Sequence, residues 1–167
     1  MNHENQKILG VDPGLGGALA FLHADGALKI FDMPVHRLKR GGKAKREIDR
    51  YELARLVDAH GPVAHAFVEQ VGAMPGQGVT SMFQFGRSLG IVEGVLSAGF
   101  IPTDYVAPRK WRTGLGVRAG KDGSRARASA LMPGHAGFWT RVKDNGRAEA
   151  ALIALYGQRH LAREAGQ

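Results

Sequence analysis

The chain has 167 residues, no cysteine, and 23 Lys+Arg against 15 Asp+Glu, a formal net charge of +8 at pH 7. One domain spanning 1–167 is the expectation for that length, with 44% hydrophobic and 23% charged residues excluding wholesale disorder. The absence of cysteine excludes a disulfide scaffold, a thiolate zinc site and a cysteine nucleophile.

No apolar run approaches the ~18 residues of a membrane span, and the polar start MNHENQK lacks the apolar region of a secretory signal. The expectation is a soluble, cytoplasmic protein with no membrane partner. The positive excess favours a polyanion, above all nucleic acid.

In chain order, KILGV (Lys7 to Val11) reads as a strand ending at Asp12-Pro13-Gly14. Gly16-Gly17 opens a second strand, Ala18 to Leu22. Asp25-Gly26 is a hairpin turn signal, and Ala27 to Met33 is a third strand. A basic stretch follows, with Arg37, Lys39, Arg40, Lys43, Lys45 and Arg46 around Gly41-Gly42; it reads as an exposed, mobile loop over about 37–48. Asp49 offers an N-cap, with Glu52 three residues on, for a helix from Arg50 to His60.

Ala64 to Val71 is a fourth strand with Glu69 near its end, and Met74 to Thr80 a Gly/Pro loop. From Ser81 to Ala98, Met82, Phe85, Leu89, Val92, Val95 and Leu96 recur at helical steps as a buried face, stopped by Gly99. Pro102 to Val106 is a fifth strand ended by Pro108. Ser124 to Leu131 is a short helix, and Gly146 to Ala162 a strongly apolar one. Three antiparallel strands followed by β/α alternation mean a mixed sheet with helices on it.

Four acids stand where this order brings chain ends together. Asp12 ends the first strand, Glu69 the fourth, and Asp144 and Glu149 flank the start of the last helix. Clustered carboxylates repel one another and raise each other's pKa. Mg²⁺ relieves that repulsion, and two such ions can activate water and steady a leaving 3′ oxygen. An Asp-x-Gly after a first strand also opens phosphate-binding loops of actin-like and sugar-kinase ATPases. Those folds need a duplicated domain, which is not visible here, so no nucleotide cofactor is expected. The histidines show no metal-ligand spacing, and His60 and His65 are read as facing solvent.

The segments ILGVDPGLGGALAFL, FVEQVGAMPGQGVTSMFQFGRSLGIVEGVL, VAPRKWRTGLGV and DNGRAEAALIALYG together resemble the RuvC-type Holliday junction resolvases, most of all their compact phage-borne and organellar branch. The resemblance runs from Lys7 to Gly157. It implies an α/β, RNase H-like fold with a five-stranded mixed sheet flanked by helices. It also implies a homodimer that nicks two opposed strands of branched DNA with two Mg²⁺ or Mn²⁺ ions per site. By motif, Asp12 of VDPG, Glu69 of VEQ and Glu149 of GRAEA would be catalytic, metal-binding carboxylates, and Asp144 the extra metal-side acid. Glu149 departs from the usual Asp, and its spacing to Asp144 is longer than the family's. Lys110 and Lys121 match the lysines that approach the scissile phosphate.

DNA contact falls, on this reading, to Lys110, Arg112, Lys121 and Arg125, joined by Arg87 and Arg109, with Lys39, Arg40 and Lys43 as a gripping arm. Gln77 in the Gly-Gln-Gly loop could read a base edge, and Phe83 could stack on an unpaired base, whereas Phe85 belongs to the helix core. Two rivals stay open: a debranching nuclease cutting flaps, forks and junctions alike, and a module that grips junctions without cutting them.

Overall fold

In the computed structural model, which describes residues 7–40, 43–70, 72, 76, 78–120 and 122–166 except the side chains of Arg40 and Lys43, the elements follow in this order. They are β1 (Lys7–Asp12), β2 (Ala18–His23), β3 (Leu28–Asp32), β4 (Val35–Arg40), β5 (Lys43–Ile48), α1 (Arg50–Ala59), β6 (His65–Glu69), α2 (Val79–Ala98), β7 (Thr103–Val106), α3 (Pro108–Leu115), α4 (Gly123–Leu131), 3₁₀ segments Pro133–Trp139 and Val142–Asp144, and α5 (Asn145–Ala165). The main sheet has the order β3-β2-β1-β6-β7. β1, β2 and β3 are antiparallel neighbours, while β1–β6 and β6–β7 run parallel. This is the five-stranded mixed sheet expected. Among the described residues no helix is long and apolar enough to cross a membrane.

Strand alternation distributes β1 between two cores. Leu9 and Val11 point to the face covered by α1 and α2, where they meet Leu53, Val57, Val92 and Leu96. Ile8 points to the other face, covered by α5 with α3 and α4, where Phe67 of β6 joins Trp111, Leu152 and Ile153. Period two then places Asp12 on the α5 side with Ile8 and Gly10, and Glu69 on that side with Phe67.

The Asp49 cap forms: its Oδ1 accepts from the N–H groups of Tyr51 and Glu52, both at 3.1 Å. Glu52 does not reach back; it pairs with Arg55 at 2.6 and 2.7 Å. Asp49→Ala is expected to cost about 1 kcal/mol, and about 2–4 °C in a thermal melt.

Three expectations need correction. The basic stretch 37–48 is not a loop but the β4–β5 hairpin, a separate two-stranded sheet in register from Val35↔Ile48 to Arg40↔Lys43. The end where its strands connect is basic on both faces, so no apolar alternation announces it. Val35 and buried Ile48 anchor the opposite end to the α1/α2 core. Phe85 is not core: α2 buries only Ser88, Val92 and Leu96 and leaves Phe85 exposed. His60 does not simply face solvent, since its ring stacks on Phe31 with centroids 4.6 Å apart. His65 is half-buried and meets Asp104 at 3.1 Å.

Pro108 ends β7 as expected, but it also occupies the first turn of α3, where its missing N–H has no helical partner to lose. Trp111 and Leu115, one turn apart, bury this helix against the α5 side, and Gly116 closes it at φ 67°.

Candidate active site

Parallel pairing of β1 with β6 sets Val11 beside Val68, so the next residues, Asp12 and Glu69, end their strands side by side. α5 crosses this face, and Glu149 comes within electrostatic reach of both. Burial is the main cause that pushes Asp12 up to about 7, and Glu69 and Glu149 push the same way. Opposing them is the Gly14 N–H, which donates to Asp12 Oδ1 at 3.2 Å. Glu69 is also raised, first by burial and then by Glu149, while Trp111 and Arg112 lower it.

Two adjacent residues of α3 hold the two glutamates. The indole Nε1–H of Trp111 donates to Glu69 Oε1 at 3.0 Å. Arg112 Nη1 and Ser124 Oγ both donate to Glu149 Oε1 at 2.9 Å. Arg112, expected on DNA, is therefore committed inside the site. Trp111 and Ser124 were missed. The usable signal was the tryptophan itself, because a fully buried indole N–H needs a polar acceptor.

Asp144 stands apart from this trio. It is buried at the start of α5, and Arg141 donates to both its oxygens at 2.8 and 2.9 Å and, through its backbone N–H, at 3.0 Å. The Arg141 guanidinium holds its carboxyl down to about 2. Both Asp144 oxygens are thus bonded by Arg141.

Among the described residues no three His, Asp or Glu side chains close around one ion. The donor set nevertheless fits a hard divalent cation. It offers carboxylate oxygens, and burial disfavours the ionised forms of Asp12 and Glu69 without a counter-charge. One helical turn before Glu149, Asn145 Oδ1 is buried with no hydrogen-bond partner among the described residues.

The other expected DNA contacts scatter around this centre. Lys110 and Arg109 are exposed at the start of α3, and Lys39 is exposed on the hairpin. Phe83 is 71% exposed on the first turns of α2. Arg87 pairs with Glu47 of the hairpin at 3.0 Å, which ties α2 to β5. Arg125 is held by Asp122 and by the Thr140 carbonyl. Gln77 and Lys121, with the side chains of Arg40 and Lys43, lie outside the described residues.

No family model matches the chain. Among curated proteins, the chloroplastic Holliday junction resolvase MOC1 of Chlamydomonas reinhardtii is 31% identical over 153 residues, covering 76% of this chain. The chain spans 17% of that protein's length. Among solved structures, T. thermophilus RuvC in complex with a Holliday junction substrate aligns with a TM-score of 0.60 at 13% identity, over 95% of this chain and 96% of that one. The yeast mitochondrial Holliday junction resolvase Ydc2 aligns with a TM-score of 0.61 at 14% identity, over 95% of this chain and 80% of that one. The fold is therefore the RNase H-like fold of these proteins.

Proposed function

We propose that this chain, built on the fold of the RuvC-type resolvases, is itself a Holliday junction resolvase: a divalent-metal-dependent endonuclease that nicks two opposed strands of a four-way DNA junction. The observation that carries this reading is the convergence of Asp12, Glu69 and Glu149 from two parallel strands and α5, in a chain of net charge +8. The relatives of this fold bear the same activity in their names.

Asp12, Glu69 and Glu149 would hold Mg²⁺ or Mn²⁺, two ions per site. Such ions neutralise the phosphodiester, generate a water nucleophile and steady the leaving oxygen. The chain's own groups do the positioning. Trp111 orients Glu69, and Arg112 with Ser124 orients Glu149, each through one oxygen, which leaves the second oxygen of each carboxylate outside these bonds. Exposed Lys110 and Arg109 lie at the start of the same helix as Trp111 and Arg112 and are positioned to meet phosphate; Lys121 is assigned the same role by its motif.

Paired nicks need two sites and hence a second copy of the chain. A groove of about 780 Å³ between α1 and α2, floored by Ile91 and Val95 and edged by bare Gly90 and Gly94, is where that copy would dock.

The test is cleavage of a labelled immobile four-way junction beside a matched flap and duplex, with Mg²⁺, Mn²⁺ or EDTA. Symmetric metal-dependent nicks confined to the junction are expected. Equal cutting of flap and junction would replace this reading with a debranching nuclease, and tight binding without cleavage in either metal would overturn the enzyme assignment.

A further inference from the structure

Beside the turn that follows Asp12 lies a cleft of about 210 Å³. Four separate segments wall it: the turn that follows Asp12, through Gly16 and Gly17; the end of β3, through Asp32 and Met33; the hairpin, through Arg46; and the 3₁₀ turn before α5, through Arg141 and Lys143. The cleft adjoins the carboxylate site, since a Cβ placed on its lining residue Gly17 would sit 2.8 Å from Asp12 Cγ. Arg46 Nη2 donates to the Leu15 carbonyl at 3.1 Å, which ties the hairpin to the turn carrying Asp12.

The charges here are arranged rather than scattered. Both acids that line the cleft are consumed by holding arginines in place: Asp144 takes Arg141, and Asp32 takes Arg147 through two bonds of 2.6 Å. Arg46, Lys143 and Arg37 have no carboxylate partner among the described residues. Arg37 and Arg46 stand directly opposite on the hairpin. Like charges at such a cross-strand pair are destabilising unless an anion lies between or beside them. A planar guanidinium already fixed by a carboxylate loses little freedom on meeting an oxyanion, and such contacts set the register of a DNA strand.

We propose that this cleft is a phosphate seat, taking a phosphodiester that flanks the scissile one on the same DNA strand, with Arg46, Lys143 and Arg141 as its donors and Asp144 as the residue that positions Arg141. The inference rests on the DNA-cleaving reading above.

The experiment is junction binding in EDTA, across a salt series, by the wild type, Lys143→Gln and the double variant Arg46→Gln/Lys143→Gln. Arg159→Gln/Arg163→Gln, at the far end of α5, is the control. Lys143 has no hydrogen-bond or ion-pair partner among the described residues, so its variant should fold as the wild type does. Each charge removed from the seat should lower the slope of log affinity against log salt by about 0.9, and the double variant should bind about tenfold more weakly at low salt. A neutral methylphosphonate at one flanking position should weaken the wild type by a similar factor and leave the double variant unaffected. Slopes equal to that of the control, or a methylphosphonate effect that persists undiminished in the double variant, would overturn the seat alone. A wild type that binds no branched DNA would overturn both the seat and the reading beneath it.

Discussion

Asp12→Asn is expected to abolish junction cleavage, by at least about a thousandfold or ~4 kcal/mol of barrier, while making the metal-free protein more stable at pH 7. The two effects have one origin. Asp12 sits where two other carboxylates converge, and burial moves its pKa from 3.8 to about 7. An unfolded chain releases that proton near pH 4, whereas the folded one keeps it until about pH 7. Between those limits the unfolded state binds fewer protons, so stability falls as pH rises, and above pH 7 the full penalty is present. A gap of about three pH units corresponds to roughly 4 kcal/mol, an upper figure because the neighbouring carboxylates respond too.

Asparagine keeps the oxygen that accepts from Gly14 and removes the charge. Thermal melts in EDTA from pH 4 to 8 should therefore show a falling midpoint for the wild type and a flatter, higher one for the variant. Retained cleavage would remove Asp12 from the catalytic assignment; a variant less stable at pH 7 would show that the aspartate is not strained by its surroundings.

Gly10→Ala should be among the most destabilising single-methyl substitutions in the protein. Gly10 lies in the middle strand of the main sheet, between Ala20 of β2 and Phe67 of β6, directly beneath α5. A Cβ there would overlap the Ala150 carbonyl oxygen and lie 2.8 Å from Ala154 Cβ. Those obstacles are helix backbone and a β-carbon, which no rotamer change can move. The helix would have to lift from the sheet, opening a core in which Leu152 and Ile153 are fully buried. A loss of at least about 3 kcal/mol, or roughly 6–12 °C in the melting midpoint, is expected. Cleavage should fall as well at temperatures where the variant stays folded, because the same helix carries Glu149. An unchanged midpoint would contradict the close helix–sheet approach.

The elements legible in the chain were those whose apolar pattern has one clear partner. β1, β2 and β3 were visible as apolar runs separated by turn residues, and α1 by its Asp49 cap. Convergence of Asp12 with Glu69 followed once the first and fourth strand-like runs were taken as neighbours. The hairpin and α3 were not legible for opposite reasons. VHRLKR and KAKREI hold too few apolar residues to show a period, and their pairing is anchored to the core by Val35 and Ile48, at the end away from the connection between the strands. α3 has two buried residues in eight, Trp111 and Leu115, too few for a periodicity, and its Pro108 signals an end and a beginning equally well.

By itself, the sequence determined the order and type of most strands and helices, the basic character of the chain, and the strand-end positions of Asp12 and Glu69, with Glu149 named at the start of the last helix. These are local matters: strand period, turn chemistry, capping and net charge are written within a few residues of one another. Tertiary structure alone decided which partner each acid serves. Trp111 reaches Glu69 across 42 positions, and Arg112 reaches Glu149 across 37. Asp144, expected as the metal-side acid by its place before the last helix, has both oxygens bonded by Arg141 three residues earlier. A carboxylate's role depends on which charge packs beside it and how much water is left around it, and both depend on the folded packing.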